Sequence, residues 1–290
     1  MTNPRTTEAA TTEAATTKAL VLGGGGMTGI AWEFGILAGL ARAGVTVGDA
    51  DVIVGTSAGS VVGTVLAAGI PLEDAVAAQA VVSPGGPAPA VDITPALAAF
   101  AMLTDRSRPR EEVMAEIGEL ALTTPTGDEQ AHIARLTAQL PVTDWPAPDL
   151  RITAVDTDGG KPAVFDRASG VPLPLAVAAS CAVPCVFTPI TIDGKRYMDG
   201  GVRSGTNADV AEEAGALLVI APMGGLGRPL IDREIAKVGP ERHLVIEPDE
   251  AALEAIGPNV LDPSRRAVAV EAGLRQGEAL AEAVRAVWSA

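Results

Sequence analysis

Ser57 stands in Gly55-Thr56-Ser57-Ala58-Gly59, and the segments on either side give that serine a chemical meaning. Ahead of it, Ala50-Asp51-Val52-Ile53-Val54 is apolar and β-branched and reads as a buried strand. Behind it, Ser60 to Ala68 has helical length and composition. A Gly-x-Ser-x-Gly at a strand-to-helix turn is a nucleophile elbow: its glycines let the backbone turn where a Cβ would clash, which exposes the hydroxyl. The following helix aims its unpaired N–H groups and positive dipole end at the same point. The chemistry expected is acyl transfer through serine attack on an ester carbonyl.

Two further segments could serve it. Asp199 opens Asp199-Gly200-Gly201 directly after Tyr197-Met198. A carboxylate at a strand end, with glycines giving backbone access, suits a general base, although Asp-Gly alone is more often only a turn. The run Gly23 to Gly26 follows the strand Lys18–Leu22 and precedes a helix expected over Gly29 to Ala43. It contains Gly24-x-Gly26-x-x-Gly29, the dinucleotide spacing. That reading needs an acid closing the second strand, whereas Asp49 and Asp51 precede theirs. Unobstructed backbone amides equally make an oxyanion hole. A bare glycine turn is the third reading.

The histidines are His132 and His243. His132 falls in a helical stretch and is expected at the surface. His243 follows Asp199, so a Ser-Asp-His order exists, yet it opens the strand Leu244-Val245-Ile246 where a catalytic histidine normally occupies a loop. Cys181 and Cys185 lie in an apolar segment and read as small buried thiols; no Cys/His cluster has zinc spacing, so neither a metal nor a cofactor is expected.

The elements that must position these residues imply an α/β fold. The strand, helix, strand, helix order at the start predicts a mainly parallel sheet with helices on both sides. From about 71 to 148 strand signal is nearly absent; Pro71, Pro95 and Pro109 suit first helical turns, giving three or four short helices and a Pro/Gly loop at Ser83 to Pro89. Strands resume at Leu150–Val155, with a hairpin at Gly159-Gly160 into Ala163–Phe165. Others are expected at Ile190–Ile192, Lys195–Met198, Ala216–Ile220 and His243–Ile246, and a long helix over 264–288. The stretch Ala178 to Pro189 is small-residue core that must pack closely against something.

Composition narrows the class. With 290 residues, 48% hydrophobic and a formal net charge of -15, the chain can bury a substantial core and is unsuited to nucleic acid or to electrostatic attachment to anionic lipid. The first 17 residues are Thr-, Ala- and Glu-rich and read as a disordered tail ahead of a single domain over 18–290. They lack a signal-peptide core, and no run of about 20 apolar residues occurs, so a cytoplasmic protein is expected.

Taken in order, four segments resemble the patatin-like phospholipase family: Gly23-Gly24-Gly25-Gly26-Met27-Thr28-Gly29, Gly55-Thr56-Ser57-Ala58-Gly59, Ala179-Ser180 to Pro189, and Asp199-Gly200-Gly201. The resemblance spans Lys18 to the Val245 strand. It implies a three-layer α/β/α fold and a Ser-Asp dyad without histidine. Ser57 would be the nucleophile, Asp199 the base, and the Gly24, Gly25 and Gly26 amides, with that of Ala58, the oxyanion hole. The implied substrate is a lipid or other ester, met through a transient membrane contact, with the middle helices as a lid. Val91, Ile93, Leu97, Phe100, Met102 and Leu103 could meet an acyl chain or be ordinary core. Where the family usually carries Arg or Lys in the glycine loop, this chain has Thr28, which removes a cation and weakens the case for anionic phospholipid. The rival classes are a nucleotide-binding protein using the glycine loop and a catalytically silent scaffold.

Overall fold

A computed structural model describes residues 16–81, 92–105 and 107–289. Most of the N-terminal tail, the loop at Ser83 to Pro89 and Val91 lie outside them. In chain order the elements are β1 (Lys18–Leu22), α1 (Gly26–Arg42), β2 (Val52–Thr56), α2 (Ala58–Ala67), α3 (Leu72–Ala80), α4 (Thr94–Met102), α5 (Arg110–Thr123), α6 (Glu129–Thr137), β3 (Asp149–Asp156) and β4 (Pro162–Phe165). There follow α7 (Leu173–Ser180), β5 (Ile190–Ile192), β6 (Lys195–Asp199), β7 (Ala216–Ile220), α8 (Gly224–Val238), β8 (Arg242–Ile246), α9 (Glu250–Ile256) and α10 (Arg266–Trp288). Among the described residues four helices occupy the middle region, with Pro71 and Pro109 immediately ahead of α3 and α5 and Pro95 in the first turn of α4.

The eight strands form one sheet in the order β5-β6-β3-β2-β1-β7-β8, with β4 also on β3. The pairings of β1 with β2 and β7, of β2 with β3, and of β7 with β8 are parallel; β4, β5 and β6 join antiparallel. In the central strands both faces are covered, so alternate residues of one strand enter different cores. Leu20 and Leu22 pack with α1, α2 and α10, whereas Ala19 and Val21 pack toward Ile231 and Ile235 of α8. A smaller core joins Val113, Met114 and Ile117 of α5 to Val155 and Met198 at the ends of β3 and β6.

On one outer layer, α1 and α10 cross backbone against backbone. A Cβ at Gly35 would lie 2.3 Å from the Val270 carbonyl oxygen, and one at Gly39 2.3 Å from that of Leu274. Gly273 and Gly277 return the contact, at 2.3 Å from the Trp32 carbonyl and 2.4 Å from that of Ile36. Trp32 Nε1 donates to Gln276 Oε1 at 3.2 Å beside the crossing, and Gln276 Nε2 donates to the Glu247 carbonyl at 2.7 Å.

Three helices carry no clear sequence signal. The segment giving α8 opens Gly-Gly-Leu-Gly-Arg-Pro, with Pro229 inside the helix, and glycine and proline are the poorest helix formers. Burial of Ile231 and Ile235 against the sheet outweighs that penalty. The apolar α7 is buried throughout most of its length and has no amphipathic stripe to read. α9 has only 7 residues, too short for periodicity.

Candidate active site

The register of the parallel strands decides where chemistry can occur. Leu22 of β1 is level with Gly55 of β2 and Ile220 of β7, so the glycine loop and Ser57 emerge together at the carboxyl edge, where α/β sheets bind ligands. Thr56 of β2 pairs with Thr153 of β3, and Ala154 of β3 pairs with Asp199 of β6. Ser57 and Asp199 thus end strands on either side of β3 at one level, about 10 Å apart between backbones at two strand spacings. Side chains leaning over β3 meet across it.

Ser57 has φ 51 and ψ -115, left-handed for a residue carrying a Cβ. Close packing enforces that turn. A Cβ at Gly59 would lie 2.0 Å from the Leu22 carbonyl oxygen, so α2 sits against β1 at a separation open only to glycine. The Ser57 amide donates to Ser180 Oγ at 2.8 Å, while the Ser57 carbonyl accepts from Ser60 Oγ at 2.6 Å and from Cys181 Sγ at 3.3 Å. Here is what the small-residue stretch packs beside: the end of α7 and the turn after it brace the elbow. Ala182 extends the brace, because its carbonyl accepts from the Asp199 amide at 3.0 Å.

Asp199 is 3% exposed and Ser57 7%. Burial raises the Asp199 carboxyl to about 7, opposed by hydrogen bonding from the Ser57 side chain and the Gly201 amide. The Gly201 bond is 2.7 Å and closes a tight turn over Gly200–Val202. Beneath this turn Asn207, itself at φ 52, places Nδ2 3.0 Å from Thr56 Oγ1, 3.2 Å from Thr153 Oγ1 and 2.8 Å from the Ser204 carbonyl. One buried amide thereby ties β2, β3 and the loop after Asp199. Ser180 lies in the Ala179–Pro189 segment, which announces close packing but not this hydrogen bond; Asn207 belongs to no motif, and the polar run Ser204-Gly205-Thr206-Asn207 shortly after Asp199 is its one signal.

The amides divide unevenly. That of Gly24 donates to the Gly205 carbonyl at 2.8 Å, which corrects its assignment to an oxyanion hole: it holds the loop in place. No backbone carbonyl among the described residues takes the amides of Gly25, Gly26 or Ala58. Gly26 has φ +60 and a Cβ there would lie 2.6 Å from the Val260 carbonyl oxygen, so the loop closes into α1 only with glycine at that position. Thr28 is buried; its amide and its Oγ1 both donate to the Val260 carbonyl, at 3.1 and 3.3 Å.

Ser57, Asp199 and Gly24 to Gly26 line one cavity of about 1020 Å³. Ile93, Leu97, Phe100 and Leu103 of the α4 region form part of its wall, while Met102 is packed in the adjoining core.

The histidines lie elsewhere. His132 is buried, not at the surface as its polar helix implies: its ring centroid lies 4.6 Å from that of Phe187 and its Nδ1 is 2.9 Å from Arg135 Nη2. Burial, then the Arg135 charge, lowers it to about 4. His243 is exposed near the amino end of β8, opposite the edge that carries Ser57. The acids near β2 are also remote from the glycine loop: Asp49 pairs with Lys18 at 2.8 Å and accepts from Trp288 Nε1 at 2.7 Å, and Asp51 accepts from the Lys18 amide at 2.8 Å. Cys181 and Cys185 are free, and burial, then the Asp199 charge, raises the Cys181 thiol to about 12.

An elbow serine facing a buried aspartate under a glycine loop defines a class, and the chain belongs to it: the family model described as patatin-like phospholipase matches residues 20–212. Membership supports lipid hydrolase activity. Among solved structures it is similar to VipD from Legionella pneumophila, at 15% identity and TM-score 0.47, covering 93% of this chain and 67% of that one. It is also similar to the type III effector protein ExoU, at 18% identity and TM-score 0.38, covering 91% of this chain and 54% of that one. No curated protein matches it in sequence.

Proposed function

We propose that the protein cleaves carboxylic esters of lipids through an acyl-serine intermediate, with Ser57 as nucleophile and Asp199 as the sole general acid and base. The observation that carries this reading is the strained Ser57 backbone facing a buried carboxylate inside one apolar cavity. Strain of this kind persists where the surrounding structure over-determines it, typically at a site of function.

The steps follow from the atoms present. Ser57 Oγ attacks the ester carbonyl carbon as Asp199 takes its proton. The Gly25, Gly26 and Ala58 amides, at the amino ends of α1 and α2, receive the developing oxyanion. Collapse breaks the bond to the alcohol, which leaves with the proton from Asp199. Water then attacks the acyl carbon, gives its proton to Asp199, and the acid departs as Ser57 is restored. A base near pH 7 matches this double duty, since both protonation states are populated at neutrality.

The wall built from Ile93, Leu97 and Phe100 receives the acyl chain. Leu97 and Met223 at the cavity are 56% and 46% exposed, apolar contacts suited to a transient membrane encounter. Among the described residues no helix is long and apolar enough to cross a membrane.

The test is hydrolysis of p-nitrophenyl esters of increasing chain length by the protein and its Ser57→Ala variant, in excess EDTA. Serine-dependent turnover that survives chelation is expected, with an optimum that sizes the pocket. A folded wild-type protein without turnover on any ester, free or vesicle-borne, would leave the silent scaffold.

A further inference from the structure

Two guanidinium groups border the Ser57 cavity with no carboxylate in ion-pair contact among the described residues. Arg110, the first residue of α5, and Arg233, on α8, both line it, and among the described residues neither forms an ion pair. Neighbouring arginines are different: Arg108 pairs with Glu116 at 2.6 Å and Arg203 with Asp209 at 2.6 Å. Arg110 is anchored through Nη2 alone, to the carbonyls of Val202 at 3.3 Å and Arg203 at 2.6 Å. Arg233 uses Nε on the Pro229 carbonyl of its own helix at 3.1 Å. Burial and the like charges of Arg203 and Arg233 lower the Arg110 pKa, opposed by Glu234. Glu234 is already committed, its Oε2 accepting from Thr206 Oγ1 and from the Ala208 amide, each at 3.0 Å.

Two exposed cations lining one cavity, on a protein of net charge -15, are suited to an anion. Guanidinium forks match phosphate oxygens. The carbonyl that holds Arg110 belongs to Arg203, four residues past Asp199 across a 3₁₀ turn. At roughly 2 Å per residue the anchor is on the order of 8 Å from the base. A glycerol backbone sets a phosphate at a comparable remove from its ester carbonyl.

We propose that Arg110 and Arg233 supply the positive charge that Thr28 removes from the glycine loop, forming a headgroup subsite that selects phospholipids of net negative charge and holds the phosphate while the ester sits at Ser57. The assignment rests on ester cleavage at Ser57 as proposed above. A zwitterionic headgroup would bring its own cation against the pair and gain less.

The experiment compares kcat/KM for dihexanoylphosphatidylglycerol and dihexanoylphosphatidylcholine, both below their micellar concentrations, in the wild-type protein, in Arg233→Gln and in Arg110→Gln/Arg233→Gln. The wild type is expected to favour the anionic lipid by about tenfold, and the double variant to lose that preference. Among the described residues Arg233 hydrogen-bonds only within its own helix, so Arg233→Gln is expected to fold and to lose severalfold, which keeps the test alive if the double variant does not fold. An unchanged ratio in Arg233→Gln, or no preference in the wild type, overturns the subsite. A binding arm uses full-length Ser57→Ala in calorimetry with the same lipids and with inorganic phosphate. Arginine-dependent preference in binding without wild-type turnover would sink ester cleavage and leave the subsite; turnover without preference would do the reverse. Inorganic phosphate binding as tightly as the anionic lipid would replace the headgroup by free phosphate.

Discussion

Replacing Ser57 by glycine and by alanine separates chemistry from backbone strain. Both variants remove the hydroxyl, and both leave Asp199 without the hydrogen bond that lowers its pKa. They differ in one respect: alanine must still hold φ 51 and ψ -115 with a Cβ, and glycine need not. Strain in such a region costs about 1–3 kcal/mol. Against this, glycine loses about 0.5–1 kcal/mol more than alanine in conformational entropy on folding. The balance predicts Ser57→Gly to be at least as stable as Ser57→Ala, by roughly 0–2.5 kcal/mol with a middle value of about 1. At about 2–4 °C per kcal/mol for a domain of this size, that is a Tm difference of a few degrees. Paired thermal melts at one pH, with esterase assays beside them, read it directly. Both variants should be inactive. Ser57→Gly melting below Ser57→Ala would refute the claim that the elbow stores strain which its surroundings enforce.

The other perturbations follow from named contacts. Because Asp199 acts ionised, kcat/KM should rise with pH along a limb near 7, and a limb near 4 would show that burial does not shift it. On folding this carboxyl takes up a proton across the window between its unfolded value of about 3.9 and its folded one, so its effect is to lower stability as pH rises through that window; Asp199→Asn should lack that slope in pH-dependent denaturation. Ser180→Ala leaves the Ser57 amide unpaired and should cost about 1–3 kcal/mol by urea denaturation together with a fall in kcat. Gly59→Ala sets a Cβ against the Leu22 carbonyl and should cost about 3 kcal/mol or more, seen as loss of soluble protein or a sharply lower Tm.

What could be read in the sequence was local. The elbow, the glycine run and the parallel strands announce themselves because spacing and β-branched runs act over a few residues, and the register then brings Ser57 and Asp199 to one level. The partners of Ser180, Asn207 and Arg110 could not be read, since each lies more than 90 residues away, as the separations of 123, 151 and 93 positions make plain. His132 misleads for the same reason. Its own helix is polar, and the Phe187 ring that covers it comes from another part of the chain. The Gly24 amide is lost to the oxyanion hole through Gly205, a turn residue with no motif of its own.

The crossing of α1 with α10 also sets the order in which the enzyme comes into being. α1 carries the glycine loop at its start, yet the helix that clamps it is translated far later, Trp32 and Gln276 standing 244 positions apart. During synthesis the loop and the elbow emerge early, with the flank of α1 that Gly273 and Gly277 will cover still bare. Contacts this distant in sequence form late and slowly. The glycine loop at the start of α1 therefore reaches its clamped position only after α10 has been made and has docked.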